Sequence, residues 1–448
     1  MLTVPIFTRL MTTEQYGMYS VYQSWYSIIT IFATLNLYSG VYNVGMVKYA
    51  EDRNEYTLSL QNLCTVITGC LFIIYLISED FWNHLFGLNS IYIYAMFIEL
   101  LFAPAFTFWS ARERFEYKYR GIILTTLILA IGSPFVGIVA VLSTSYKAEA
   151  RVVSFVFVQA MVGLIFYIYN SVRSEKIFST KYWKYGLIFN LPLLPHYLSQ
   201  IILGQADRVM INNMVGAAKA AIYSVAYNIS SLMNLVTNAI NSSYIPFTYN
   251  ALRQKEYKKL ANTTNIVLLM IALGSVLITA FGPEIIMIFA PEEYYEAIWI
   301  IPPVSASMYF MFLYPLFGNI EFYFEENKFV TLASVSGALL NIVLNWLAIP
   351  LFGYVAAAYT TLVCYIIYAF GHYFFMKFIL KKHGILDKIY NSRFIILLSF
   401  SIIISMMIMT LIYNNFILRY LTISLILVVI LVNRKRIINI ISEINNLK

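Results

Sequence analysis

The sequence predicts an all-α polytopic membrane protein, built from two pseudo-symmetric six-helix lobes and two further C-terminal helices. Composition gives the first indication, because 60% of the residues are hydrophobic and only 12% are charged, whereas an ordinary soluble domain has about 25% charged residues. The mean hydropathy is +0.72. Apolar segments of about 20 residues, the length that crosses a bilayer, recur between short polar breaks. An internal repeat is the third observation.

The repeat consists of an arginine, a glycine eight positions later and a Tyr-Ser-Val triplet. Its first copy runs from Arg9 to Val21 and its second from Arg208 to Val225, with five extra residues between glycine and triplet in the second copy. Internal duplication is the simplest explanation. The alternative is a coincidence among residues that are common in membranes.

We predict thirteen full spans after a short N-terminal stub. The spans cover residues 17–47, 56–78, 90–110, 121–144, 152–172, 185–211, 218–249, 263–290, 297–320, 329–350, 354–376, 394–413 and 418–433. The stub holds too few apolar residues before Arg9 to cross the bilayer. Because a whole apolar helix precedes Arg208, we expect the first helix to be truncated here and completed by about 15 to 20 upstream residues.

The distribution of positive charge predicts the orientation. When the spans alternate across the membrane, 24 of the 30 Lys and Arg residues fall on one side. Positive residues mark cytoplasmic loops and contact anionic lipid, so this side is predicted to be cytoplasmic. The same explanation covers the net charge of +8, and nucleic acid is not predicted as a partner.

Arg9 and Arg208 fall on the same side, so the two repeats share one orientation and each contains an even number of helices. Six helices per lobe satisfy this condition. We predict an N-terminal lobe over residues 1–184, a C-terminal lobe over 185–380, and two extra helices with a basic cytoplasmic tail over 381–448. Transporters commonly bind their substrate between repeats of this kind.

Candidate binding residues lie on the helix that follows each copy of the repeat. At steps of three or four residues, the first helix carries a polar series that includes Tyr26, and the second a series that includes Tyr227, Asn234 and Asn238. Residues at that spacing share one helix face, and a polar face within a span turns away from lipid. We interpret it as the lining of a shared cavity; hydrogen bonding between helices is the alternative.

Four cations form two repeat-related pairs, Arg9 with Lys48 and Arg208 with Arg253. Lysine and arginine suit phosphate because they provide permanent charge and several donors. These four residues are therefore candidates for substrate binding, together with Asp207, which is also a candidate ion-pair partner of Arg208. The alternative for the cations is ordinary charge that sets membrane topology.

Glu99 and His196 are candidates for ion coupling, with H+ or Na+ as the coupling ion. Glu99 is the one acidic residue of its apolar segment, and His196 follows Pro192 and Pro195 in a helix that the prolines are expected to bend. Ionisable residues at such depth commonly mark ion pathways. A satisfied buried carboxyl and a packed histidine are the alternatives. Three cysteines and four histidines are too scattered to predict a metal site, and we predict no cofactor.

Two runs carry a family resemblance, PIFTRLMTTEQYGMYSVY near the start and ADRVMINNMVGAAKAAIYSVAYNISSL downstream. With the spacing of the spans, they resemble the O-antigen and capsule repeat-unit flippases of the Wzx type, within the multidrug/oligosaccharidyl-lipid/polysaccharide (MOP) flippase superfamily. The resemblance extends from Thr3 to about Arg436. The truncated first helix is a departure from the family pattern.

The resemblance implies two MATE-like lobes around a cationic cavity and alternating access. It implies that undecaprenyl-pyrophosphate-linked oligosaccharide is moved to the outer leaflet of the bacterial cytoplasmic (inner) membrane for surface polysaccharide synthesis, with a polysaccharide polymerase and a chain-length regulator as further partners. The family's Thr-Arg element matches Thr8 and Arg9, and its Asp-Arg element matches Asp207 and Arg208. Such transport needs no covalent chemistry, so an enzyme is not predicted.

Three alternatives remain open. A cation-coupled multidrug exporter of the same superfamily needs carboxylates inside the membrane, for which Glu99 and Asp207 are the candidates. An integral-membrane polysaccharide polymerase or glycosyltransferase needs an acidic pair, and Glu79 with Asp80 lies in a short loop. The third alternative is a scaffold in a polysaccharide assembly complex that transports nothing itself.

Overall fold

The computed structural model describes residues 3–385 and 389–432, without the side chains of 327–329, 426–427 and 429–432. The described chain is helical and packs as two compact units, residues 6–221 and residues 222 onward, with Thr3–Pro5 grouped with the second. Lys388 and the predicted basic tail, with Arg434, Lys435, Arg436 and Lys448, lie outside the described residues.

Ten α-helices end before residue 217. They are α1 (Val4–Leu10), α2 (Thr13–Thr34), α3 (Gly40–Lys48), α4 (Arg53–Ile77), α5 (Glu79–Phe86), α6 (Ser90–Phe115), α7 (Tyr119–Leu142), α8 (Lys147–Val172), α9 (Thr180–Asn190) and α10 (Leu194–Met214). The 3-10 turn Leu191–Leu193 separates α9 from α10 at the predicted proline bend. Within the first unit, α6 packs along α8 and α10 packs along α2.

Nine further helices complete the described chain. They are α11 (Ala217–Ser230), α12 (Met233–Gln254), α13 (Tyr257–Ala280), α14 (Gly282–Phe289), α15 (Ile301–Tyr323), α16 (Asn327–Phe352), α17 (Ala356–Lys382), α18 (Ser392–Ile412) and α19 (Phe416–Val432). In the second unit α15 is central, because it packs against α12, α13, α17 and α18 and most of its side chains are buried.

Nine helices in the described residues are long and apolar enough to cross a membrane, or ten if the 3-10 helix Glu292–Trp299 and α15, bent by 50°, count as one span. The predicted fold class, an all-α polytopic membrane protein with two lobes, is confirmed. The predicted lobe boundaries at residues 184 and 380 stay predictions, since they follow the internal repeat whereas the compact units follow packing.

The prediction of single continuous helices over 17–47, 218–249 and 263–290 is wrong, and the last of these divides at Phe281 into α13 and α14. The other two are interrupted as follows. The first ends as α2 at Thr34, where Leu35 and Asn36 adopt positive φ angles of 47° and 53°, and the second breaks between α11 and α12. Neither α2 nor α12 is among the nine apolar spans, because both carry the polar series described above. The same segment of each repeat is therefore interrupted.

Candidate functional site

A carboxylate is buried in the first unit between α6 and α2. Glu99 on α6 is 2% exposed and accepts a hydrogen bond of 2.7 Å from the hydroxyl of Tyr22 on α2. Tyr22 and Tyr26, one turn apart, stack with their ring centroids 6.4 Å apart. Because residues four apart share a helix face, α2 presents two phenols on the side that holds Glu99. The predicted candidates Glu99 and Tyr26 therefore belong to one polar region.

A buried arginine, Arg151, lies at the start of α8, one residue before the predicted span 152–172. Arg151 is 3% exposed, and its guanidinium carbon lies 3.9 Å from the ring centroid of Phe7 and 4.6 Å from that of Tyr19. Its Nη2 donates to the Tyr19 hydroxyl at 3.3 Å, while Nε and Nη1 have no partner. Aromatic faces attract a guanidinium, so this cage accommodates the charge.

Arg208 on α10 is linked to α2 through Gln205. It is 6% exposed, and its Nη1 donates to the side-chain oxygen of Gln205 at 2.6 Å and to the Gly204 carbonyl at 3.1 Å. The same Gln205 oxygen accepts a hydrogen bond of 3.1 Å from Ser24 on α2. Asp207 is 1% exposed. Both predicted site residues are thus packed inside the first unit, and Arg208 has contacts there that hold it in place.

Lys48 lies in a group of lysines and tyrosines contributed by α3, α9 and the turn after α3. The lysine–tyrosine cluster comprises Lys48, Tyr49, Lys181, Tyr182 and Tyr185. The Lys48 Nζ lies 4.5 Å from the Tyr185 ring centroid and 5.6 Å from that of Tyr49, and the Lys181 Nζ lies 4.7 Å from Tyr49. Both lysines are exposed. The cluster combines accessible positive charge with aromatic faces. Lys48 was predicted as a binding residue, whereas Lys181, more than 100 residues away in sequence, was not.

Much of the polar series on α2 is satisfied within its own helix. The hydroxyls of Thr30 and Thr34 in this series donate to carbonyls four residues earlier, at 2.6 and 2.7 Å, and Ser24, next to the series, does the same at 3.0 Å. This back-bonding is common for Ser and Thr inside helices. The Gln23 amide is different, because its buried Nε2 has no partner. A polar residue in this series is therefore not by itself evidence of a cavity.

The remaining candidates lie in different settings. In the second unit, Tyr227 stacks on Tyr223 with centroids 6.2 Å apart, and the buried side-chain oxygen of Asn234 has no partner. Asn238 and Arg253 are exposed on α12. In the first unit, Arg9 is exposed at the end of α1, and the half-buried His196 lies near the start of α10 beside Tyr197. None of these residues belongs to a metal-ligand cluster, since the described residues contain no cluster of three or more His, Cys, Asp or Glu side chains that could hold a metal ion.

The chain is all-α, has many apolar spans and buries ionisable side chains within them. These features are typical of a membrane transporter. A family model described as "Polysaccharide biosynthesis protein" matches residues 1–252, and the MatE family model matches residues 192–347. The chain therefore belongs to the polysaccharide biosynthesis protein family, within the flippases of the MOP superfamily. The matched families are those of transporters and flippases rather than of enzymes, and the predicted resemblance is confirmed.

Relatives and solved structures agree with this assignment. The chain is 21% identical over 355 residues to "Lsg locus putative protein 1" of Haemophilus influenzae, covering 76% of this chain and 84% of the relative. It is 22% identical over 293 residues to the "Putative O-antigen transporter" of Shigella flexneri, covering 60% and 69%.

Two solved structures show a similar fold. The inward closed "Lipid II flippase MurJ" aligns with a TM-score of 0.59 at 15% identity, covering 92% of this chain and 98% of that one. An inward-facing multidrug resistance MATE family transporter of the MOP superfamily aligns with a TM-score of 0.67 at 12% identity, covering 86% and 95%. At these identities the likeness concerns the fold alone.

Proposed function

We propose that the protein translocates undecaprenyl-pyrophosphate-linked oligosaccharide repeat units across the bacterial cytoplasmic membrane by alternating access, for the synthesis of surface polysaccharide. The observation that carries the proposal is the polysaccharide biosynthesis family match over residues 1–252. The matched segment contains the lysine–tyrosine cluster and Arg208. The printed name of the Shigella flexneri relative, an O-antigen transporter, supports the same substrate class.

The chemistry of the substrate explains why these side chains are useful. A pyrophosphate does not cross about 30 Å of hydrocarbon unaided. In our proposal Lys48 and Lys181 receive the pyrophosphate, since an ammonium is a strong phosphate partner. The faces of Tyr49 and Tyr185 contact sugar rings, Tyr182 is buried behind them, and the prenyl chain stays in lipid.

The other predicted residues keep their proposed roles. Arg9, Arg208 and Arg253 are proposed to contact the pyrophosphate along its path, with Asp207 beside Arg208. The residues proposed to contact sugar are Tyr26, Tyr227, Asn234 and Asn238. Glu99 and His196 are proposed to couple transport to H+ or Na+, and the polymerase and chain-length regulator are proposed partners that receive the product.

The first experiment deletes the gene in the organism that encodes it and measures surface polysaccharide. We expect surface polysaccharide to disappear while lipid-linked repeat units accumulate in a form that an impermeant oxidant does not reach. Complementation with Lys48→Ala/Lys181→Ala should restore less than about a tenth of the wild-type amount, because each lost charged contact costs about 1.5–3 kcal/mol. Lys176→Ala is the matched control, since Lys176 is 69% exposed and pairs with Glu55. Normal surface polysaccharide in the deletion strain would contradict the proposal.

The second experiment separates a direct role of Arg208 from a structural one. Arg208→Ala, Arg208→Lys, Asp207→Ala and the Asp207/Arg208 double alanine variant are compared for export and for protein amount. A direct role predicts that Arg208→Ala accumulates but does not export, and that lysine restores only part of the function because it loses the planar fork. Export by the double variant at the wild-type rate would instead assign Arg208 to packing and remove it from the site.

A cation-coupled multidrug exporter is the second candidate, because the MatE model matches residues 192–347. An exporter lowers the accumulation of a cationic dye in cells that express it. If expression lowers dye accumulation while the deletion strain keeps its surface polysaccharide, the exporter is favoured. The opposite pair of results favours the flippase.

A further inference from the structure

A second carboxylate is buried in the second unit, and its partner is a histidine. The side chains of Glu321 on α15 and His372 on α17 are both 0% exposed, and Nδ1 of His372 lies 2.8 Å from Oε1 of Glu321. The other polar atom of each group, Oε2 of Glu321 and Nε2 of His372, is buried without a hydrogen-bond partner. Two adjacent unpartnered atoms in one buried pair are unusual, because buried polar groups are normally satisfied.

The surroundings of the pair are aromatic and uncharged. The rings of Tyr314 and Tyr368 lie with their centroids 4.6 and 4.7 Å from that of His372. The Tyr368 hydroxyl is shared with Ser334 of α16 at 2.9 Å. These two tyrosines are the titratable side chains in contact with the pair in the described part of the unit.

On the other elements packed against α15 and α17, the side chains of Arg253 (α12), Lys258 and Lys259 (α13) and Arg393 (α18) are exposed. The remaining titratable groups near the two helices have partners elsewhere. Their contacts are Tyr373 with Ser392 of α18, Tyr390 with the Leu316 carbonyl, Tyr249 of α12 with Tyr323, Tyr244 of α12 with Thr264 of α13, Lys377 with the ring of Tyr373, and Lys382 with Glu326. Lys328 of α16 lies outside the described side chains. The charge of the pair is therefore balanced within the pair itself.

Charge balance determines how many protons the pair holds. With one proton shared as imidazolium and carboxylate, or as neutral imidazole and carboxylic acid, the pair is neutral. Without that proton, the Glu321 carboxylate keeps a hydrogen bond from the neutral imidazole but has no counter-charge at 0% exposure. With a second proton, the imidazolium has no counterion. Both states are costly in a buried site.

We propose that Glu321 and His372 form an exchangeable proton site in the second unit, with the proton taken up at Nε2 of His372. In the proton-free state Nδ1–H donates to Oε1 of Glu321 and Nε2 keeps its lone pair. One proton from water binds this lone pair and gives an imidazolium–carboxylate pair, and its release restores neutral imidazole and carboxylate. A proton fits this site better than a hard cation, because hard cations take several oxygen ligands and one partner here is an imidazole nitrogen.

Proton exchange requires water to reach a fully buried atom, so the site must open. The pair joins α15, the central helix of the second unit, to α17. Binding and release of the proton therefore bias the packing of these two helices, which is the link to transport. This coupling rests on the proposed function, whereas the proton site itself does not.

The site is tested first without transport. The full chain in nanodiscs, labelled with 15N histidine, is titrated by NMR, and the His372 signal is assigned with His372→Gln. We expect His372 to gain and lose one proton, and we expect Glu321→Gln to lower its proton affinity by at least about tenfold, since an opposite charge at this distance has an effect of that size. A His372 signal that is unchanged by pH, or by Glu321→Gln, would overturn the proton site.

The second arm measures flipping in proteoliposomes with and without an imposed pH gradient. We expect the gradient to accelerate the wild type at least about tenfold and His372→Gln to keep the slower rate while losing the acceleration. His383→Gln is the matched control, because His383 ends the same helix, is exposed and stacks on Phe324. Equal acceleration of His372→Gln would overturn the coupling. If the wild type flips nothing, the proposed function fails, while the NMR titration still decides the proton site.

Discussion

The two units each bury a carboxylate between neighbouring helices, but with different partners. Glu99 accepts a hydrogen bond from the phenol of Tyr22, and Glu321 contacts the imidazole of His372. A phenol gives up or accepts a proton far from neutral pH, whereas an imidazole does so near it. The partner in the second unit therefore suits proton exchange near neutral pH, and the ion-coupling role of Glu99 stays a proposal. A buried acid alone does not identify a coupling site.

The largest effect is expected when the second pair is broken. His372→Leu leaves Glu321 buried without a partner, and we expect it to lower the free energy of unfolding by about 3–5 kcal/mol. Replacing both residues by leucine should recover most of this loss, because an apolar pair of similar volume is tolerated. Denaturant titration in micelles measures both variants. If the double variant is as unstable as the single one, the buried charge is not the cause.

The two repeat glycines provide the next comparison. A Cβ at Gly17 would lie 1.9 Å from the carbonyl oxygen of Ala217, whereas Gly216 has open space but a φ of 118°. Gly17→Ala should lower the free energy of unfolding by an amount at the upper end of about 1–3 kcal/mol. The Ala217 oxygen belongs to the backbone and cannot rotate away as a side chain would. Gly216→Ala should cost about 1 kcal/mol from backbone strain. Unfolding midpoints at one protein concentration rank the two, and the reverse order would show that this close approach does not constrain α2.

Removing the phenol partner of Glu99 should have a smaller effect than removing His372. Tyr22→Phe keeps the packing of the ring and deletes the donor, so we expect a loss of about 1–2 kcal/mol. Tyr42→Phe is the matched control, because it removes a neutral hydrogen bond of 2.7 Å to Thr57 in the same unit. A loss for Tyr22→Phe as large as for His372→Leu would remove the contrast between the two acids.

The smallest effect is expected at an exposed ion pair and depends on pH. Burial raises the pKa of Glu116, but hydrogen bonds from Lys118 and Arg112 lower it more, so the net pKa is below its usual value. The stabilisation is thus present at neutral pH and is lost as the pH falls through the lowered pKa. Because Lys118 is 63% exposed, Glu116→Gln should cost below about 1 kcal/mol. Comparing wild type and variant at neutral and acidic pH checks this; a cost that persists in acid would contradict it.

The fold was accessible from sequence because bilayer thickness imposes a length on every apolar span. The break after α2 was missed for a local reason. The positive φ angles of Leu35 and Asn36 occur in a stretch, residues 18–39, that contains no glycine or proline to signal a break. The polar series on α2 keeps this helix out of the apolar spans, and the cavity that it was predicted to line stays a prediction. That several hydroxyls bond back to their own helix depends on rotamers, which residue spacing does not determine.

The sites were accessible only in part. Glu99 and Arg208 were found because a charge stands out in an apolar segment. Their partners, Tyr22 and Gln205, were not predicted, because the choice of partner depends on how the side chains pack. The pair of Glu321 and His372 was missed because Glu321 lies just beyond the predicted span 297–320, where charges are common, and because 51 residues separate it from His372. Arg151 was assigned to a loop for the same reason, although the structure encloses it among aromatic rings.

Translocation of a lipid-linked oligosaccharide by the purified full chain is the most direct test of the proposed function. Proteoliposomes carry undecaprenyl-pyrophosphate-linked oligosaccharide in both leaflets, and a lectin added outside reports the accessible fraction over time. We expect essentially all of the substrate to become accessible with the wild type, and a much slower approach with Lys48→Ala/Lys181→Ala. An accessible fraction that stays at the value of protein-free liposomes, with the protein folded and inserted, would contradict the flippase assignment.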